Sequence, residues 1–246
     1  MTDTTLIVIM IFAGFVMGVS KGGMGLVMSG LITPAMSLVM PVRQAAGLLV
    51  PMALTADALA MYAYRRKWEG WRMRLLLPVG VLGVAAGAQL LGALPDDVLK
   101  RIIGAFALLG AIYKLVEARL SALSYQSRPW HALVVGGVSG LGSGLANAGS
   151  PPFTAYMLLQ KLSPLLFVAN TILFFTVIDV AKLPFFASLG VLNQETLLLG
   201  LWGVPAVPVG VWAGKQFVDR VNARAFDAWM LALLVVAGVL LIAQPG

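Results

Sequence analysis

Two aspartates stand inside stretches otherwise built for an apolar environment. Asp57 lies within the run 43–64 and Asp179 within the run 164–189. A carboxylate in such a stretch is costly to hold, and where it occurs it points to an ion or proton pathway. Lys182 follows Asp179 by three residues and so shares its helical face, which offers a purely structural pairing as the alternative. Asp57 has no such neighbour in sequence. A second chemistry comes from two glycine-rich breaks. Ser20-Lys21-Gly22-Gly23-Met24-Gly25 interrupts 5–40, and Gly142-Ser143-Gly144-Leu145-Ala146-Asn147-Ala148-Gly149-Ser150 interrupts 130–160. Glycine lets the backbone turn and present N–H groups, and a helix restarting after a break directs the positive end of its dipole into the gap. Together these make an anion site. Lys21 adds a full charge; Ser143, Asn147 and Ser150 add hydroxyl and amide donors.

The candidate anion ligands are therefore Lys21, Gly22, Gly23, Ser143, Gly144, Asn147 and Ser150, joined by Asn170. Asn170 is a polar position, like Thr171 and Thr176, on the run that carries Asp179. Asp57, Asp179 and Lys182 are the candidate coupling or gating groups. A plainer reading stays open for each. The breaks could be cytoplasmic loops whose glycines allow close helix packing, and the polar groups of 164–189 could be interhelical hydrogen bonds. Gln89 and Gln216 suit helix packing, Arg43 and His131 anchoring at the membrane interface.

The elements that must position these groups are membrane helices. The chain has 246 residues, 60% of them hydrophobic and only 11% charged, with a mean hydropathy of +0.93. Soluble domains carry about a quarter charged residues. Apolar runs fall at 5–20, 24–40, 43–64, 75–93, 98–118, 130–146, 151–160, 164–189, 195–216 and 225–243. Those at 43–64, 75–93, 98–118, 164–189, 195–216 and 225–243 reach the ~20 residues that a full span needs. The pairs 5–20/24–40 and 130–146/151–160 are shorter and broken. The N-terminus lacks a basic leader region and a small-residue cleavage site, which predicts a retained first helix.

The two breaks belong to an internal repeat. Pro78-x4-Gly83-x3-Gly87-x-Gln89 recurs with the same spacing as Pro205-x4-Gly210-x3-Gly214-x-Gln216, an offset of 127. Gly14-x3-Gly18 matches Gly136-x3-Gly140, and Asp57 matches Asp179, both at an offset of 122. The expected organisation is two transmembrane repeats, 1–122 and 129–246, within one membrane domain. Each holds about three full helices plus a broken or re-entrant pair.

Cation placement predicts the orientation. Arg65, Arg66, Lys67, Arg72 and Arg74 crowd one loop, which the positive-inside rule makes cytoplasmic. Counting spans outward adds the loops at Arg119/Arg128, Lys161 and Lys215/Arg220/Arg224, and puts Asp96/Asp97 and Glu195 outside. Arg43, Lys100, Arg101 and Lys182 are the exceptions. Each half then crosses an odd number of times, so the second is inverted relative to the first and both termini are periplasmic. Inverted repeats with broken helices are a recurrent transporter design, with substrate held near the midplane.

The formal net charge of +7 sits in short loops between spans, which fits orientation in a bilayer better than a nucleic-acid face. With no cysteine in the chain, disulfides, thiolate metal sites and thiol catalysis are excluded. No zincin or Walker A motif occurs, and no cofactor is expected. The expected partners are a small anionic substrate, the lipid bilayer and a second copy of the chain in a homodimer.

The stretch Gly14-x3-Gly18-x-Ser20-Lys21-Gly22-Gly23-x-Gly25, its Gly/Ser/Asn-rich counterpart ending in Pro151-Pro152, the duplication and the length together resemble the TauE/SafE family of sulfite and organosulfonate exporters. The resemblance covers essentially the whole chain, through motifs dominated by glycine. It implies export of sulfite, sulfoacetate or a related sulfonate across the bacterial inner membrane, driven by an ion gradient. The matching mechanism is alternating access: the anion sits between the breaks, one repeat rocks against the other, and Asp57 protonation is the coupling event. A small-anion channel and a membrane enzyme acting on a lipid-linked phosphate stand as alternatives.

Overall fold

The computed structural model describes residues 3–24, 29–64, 67–122, 128–218 and 223–243. Helices joined by turns make up these residues, with no strand among them. In chain order they are α1 (Asp3–Val19), continued by a π-turn at Ser20–Met24, then α2 (Ser29–Ser37), α3 (Val42–Tyr64), α4 (Gly70–Ala93) and α5 (Asp96–Ala122). The second half supplies α6 (Pro129–Ala146), α7 (Ser150–Leu159), α8 (Pro164–Ser188), α9 (Gln194–Leu201), α10 (Ala206–Val218) and α11 (Ala223–Ala243).

Among the described residues, four helices are long and apolar enough to cross a bilayer: Thr4–Gly22, Val42–Tyr64, Gly70–Ala93 and Leu165–Ser188. Two expectations change. The first apolar run is not short, because α1 continues through the π-turn as a 19-residue apolar helix. The run 195–216 is not one straight span, because α9 and α10 meet at 50°. Trp202, Gly203, Val204 and Pro205 form a turn there. Proline has no N–H to continue the helical ladder, and its ring crowds the preceding turn. Pro78, the repeat partner of Pro205, sits inside a continuous α4.

Helix packing crosses between the halves of the chain. α1 and its π-turn lie against α10, and α6 lies against α4. Glycine permits both contacts, since a Cβ on Gly14 would stand 2.0 Å from the Gly203 carbonyl oxygen and one on Gly140 would stand 2.0 Å from that of Gly80. The contacts recur at the sequence offsets. Gly14 meets Gly203 as Gly136 meets Leu76, Gly18 meets Val207 as Gly140 meets Gly80, and Gly22 meets Val211 as Gly144 meets Val84. In each pair the first member shifts by 122 and the second by 127. α3 and α8, which carry the two aspartates, pack against each other.

The loops sort into two ends. At one, Arg43 donates from Nε to the Leu91 carbonyl at 2.8 Å and from Nη2 to those of Gly92 and Leu94 at 2.6 and 3.2 Å. It thereby caps the end of α4, where a helix dipole favours a cation. Asp96 accepts from the Val42 N–H at 2.7 Å and pairs with Lys100 at 3.3 Å. Gly47 meets Val191 at this same end. At the other end the Glu69 N–H donates to Asn170 near the start of α8, and Arg72 pairs with Glu69. The start of α3, the end of α4 and the loop at Val191 thus share one end, and Glu69 with Asn170 stands at the other; Arg65, Arg66 and Arg220 lie outside the described residues.

Candidate functional site

Lys21 occupies the π-turn that ends α1. A π-turn widens the helix by one residue per turn and is frequent at functional sites. It carries the Lys21 ammonium sideways to Asp57 Oδ1 on α3, with the two side chains 8% and 2% exposed. The same ammonium lies 3.5 Å from Asp179 Oδ2 on α8. Asp179 Oδ1 accepts from Lys182 Nζ at 2.5 Å, and Lys182 also donates to Asn147 Oδ1 at 2.5 Å. Asn147 Nδ2 reaches Thr33 Oγ1 on α2 at 3.5 Å. One chain of contacts therefore links both glycine-rich breaks to both aspartates.

The local backbone explains the second break. Asn147 ends α6 in the left-handed conformation, with φ of 55°, a region that asparagine enters more readily than most residues. Its N–H returns to the Ser143 carbonyl and that of Ala148 to Gly142. α7 then starts at Ser150 with Pro151 and Pro152 in its first turn, where proline suits the helix. Those two prolines have no N–H, so the positive end of α7 is presented by Ser150 rather than by a fan of amides.

Met17, Lys21, Ala53, Ser143, Asn147, Ser150, Phe175 and Asp179 line a cavity of ≈ 20 Å³, room for about one water. The space is small; an oxyanion of sulfur needs it to widen. Asp57 lies about two helical turns from the end of α3, ~10 Å at the usual rise, while Lys21 stands at the end of the Thr4–Gly22 helix. Two lysines and two aspartates bring the cluster to zero net charge. Breaking such a buried set by removing one member costs about 3–5 kcal/mol, because a charge is left without compensation.

The sequence-derived candidates divide. Lys21, Ser143, Asn147, Ser150 and Asp179 meet at the cavity, with Asp57 and Lys182 bonded to them. Gly22 and Gly144 are taken up by helix contacts, each with a Cβ position 2.5 Å from a carbonyl oxygen, of Val211 and Val84 respectively. Gly23 lies in the π-turn. Gly25, with the rest of 25–28, is outside the described residues. Asn170 accepts the Glu69 N–H at 2.9 Å, nine residues and so roughly 13 Å along α8 from Asp179. Thr33 was missed, although a threonine inside the run 24–40 was a visible signal. Asp179 has both its pairing with Lys182 and a place in the larger cluster.

A family model described as Sulfite exporter TauE/SafE matches residues 9–241 of the chain. No curated protein and no solved structure matches it.

Proposed function

The chain belongs to the TauE/SafE sulfite exporter family, a family of multi-pass membrane transporters, and from that premise we propose that it exports a small sulfur oxyanion by alternating access. The substrate class is sulfite, sulfoacetate or a related sulfonate, and the membrane is the bacterial inner membrane with both termini periplasmic. The observation that carries this reading is the placement of Lys21. A buried ammonium from the first break faces Ser143, Asn147 and Ser150 of the second across one small cavity. Sulfite and sulfonate oxygens accept several hydrogen bonds each, and bonds to charged donors are the strong ones.

In this reading the halves 1–122 and 129–246 are inverted repeats. Support comes from the cation placement and from helix contacts that recur at offsets of 122 and 127. The moving bodies are not the halves themselves. α1 is locked by backbone contact to α10, and α6 to α4, so each half has a helix held by the other. Interfaces of small residues without Cβ clearance move as units. The rocking bodies are then the α1–α10 and α4–α6 pairs, with α3 and α8 between them carrying Asp57 and Asp179. A proton on Asp57 couples the cycle to the proton gradient.

Thermal stabilisation of purified protein tests the substrate class. Sulfite and sulfonates should raise the melting temperature where acetate and other carboxylates do not. A shift with carboxylates alone would overturn it.

A further inference from the structure

We propose that Asp57 is a built-in competitor for the substrate anion: its carboxylate holds Lys21 in the empty site and leaves it, protonated, when the anion binds. This deepens the anion-transporter reading and rests on it. The two aspartates are held very differently. Both oxygens of Asp179 face cations, Oδ1 that of Lys182 at 2.5 Å and Oδ2 that of Lys21 at 3.5 Å. Among the described residues Asp57 has one cation, at Oδ1, and its buried Oδ2 has no hydrogen-bond partner. Asp57 is therefore the carboxylate that can be released while Asp179 keeps the cluster together. An anion entering beside Lys21 also needs room, and the cavity as it stands holds about one water. Withdrawal of the Asp57 carboxylate from Lys21 frees the strongest donor in the wall.

Charge decides the protonation state. The empty cluster holds two ammonium and two carboxylate groups, a net charge of zero. A monovalent anion would bring it to minus one, and an uncompensated charge in a buried site is strongly unfavourable. A proton taken from the aqueous side by the Asp57 carboxylate restores neutrality: Lys21 and Lys182 positive, Asp179 and the anion negative. The neutral carboxyl then has a proton to donate, and Asp179 stays paired with Lys21 and Lys182. The charged groups facing Asp57 from the packed elements are Lys21 at the end of α1 and Asp179 on α8, with Lys182 behind Asp179. Among the described residues, other charges near α3 lie towards helix ends, such as Asp96 at Val42 and Glu195 at the start of α9. No covalent step is involved.

The test is isothermal titration calorimetry of the full chain in detergent, with methanesulfonate as the probe because its charge is constant near neutral pH. Runs in buffers of different ionisation enthalpy count protons. Wild type should take up about one proton per anion, with affinity falling about tenfold per pH unit on the alkaline side. Asp57→Asn, which carries no titratable group, should bind at least as tightly and take up none. Binding to wild type without proton uptake, or uptake persisting in D57N, overturns the proposal while leaving the transporter reading intact. If D57N fails to fold, the infrared spectrum of wild type decides. A protonated-carboxyl band appearing on binding supports the proposal, and its absence overturns it. Failure of methanesulfonate, sulfite and sulfoacetate alike to bind wild type overturns the transporter reading itself.

Discussion

Gly18 of α1 and Gly210 of α10 lie backbone against backbone: a Cβ built on either would stand 3.0 Å from the Cα of the other. They come from opposite halves of the chain, and their contact ties the helix that carries Lys21 to a helix of the second half. The arrangement makes close packing, rather than side-chain interdigitation, the force that sets the position of the site.

Gly18→Ala should therefore destabilise the fold. Its Cβ would stand 2.2 Å from the Val207 carbonyl oxygen, and overpacking of this kind costs about 1–3 kcal/mol. Gly70→Ala, where a Cβ meets nothing within 4 Å, is the matched control and should be neutral or slightly stabilising. Thermal melts in detergent compare the two. Equal melting temperatures would contradict the packing described.

Lys21→Ala removes the cation bonded to Asp57 and should cost about 3–5 kcal/mol. The double variant Lys21→Ala/Asp57→Ala leaves no orphan carboxylate at that position and should recover most of the stability while still failing to transport. A double variant no more stable than the single would mean that the pair is not coupled, a point read directly from denaturation curves.

Asn170→Ala should act on the fold alone. The side chain accepts the partly buried Glu69 N–H, and leaving that donor unsatisfied costs at most about 1–3 kcal/mol. Substrate affinity in the folded fraction should match wild type. A large affinity loss at unchanged stability would return Asn170 to the binding site.

The absence of cysteine from the chain makes single-cysteine labelling clean. A cysteine at Lys67 should react with a membrane-impermeant reagent only from the cytoplasmic side, and one at Gln194 only from the periplasmic side. Labelling of both from the same side would refute the inverted relation of the halves.

Much of this was legible in the sequence because the signals were physical ones. Apolar runs located the helices to within a few residues, the Pro-to-Gln repeat named the helices that pack across the halves, and Asp57 and Asp179 stood out as charges in apolar stretches. What was not legible depended on three-dimensional partners. Nothing near Lys21 in sequence shows that it reaches Asp57, 36 residues away, because a π-turn rather than a loop redirects it. Gly22 and Gly144 read as backbone for an anion, yet helix packing uses them, and both purposes select the same residue. The bend after α9 was hidden because the same Pro-Gly pattern is tolerated within α4. Polarity alone, at Asn170, does not tell a ligand from an acceptor for the Glu69 N–H.

Counterflow in proteoliposomes tests the central assignment most directly: vesicles loaded with unlabelled sulfite, labelled sulfite outside, wild type against Lys21→Ala. An anion transporter with Lys21 in its site gives saturable accumulation by wild type, competed by methanesulfonate and not by acetate, with none by Lys21→Ala. Uptake that rises linearly without saturation, or that is undiminished in Lys21→Ala, would contradict it.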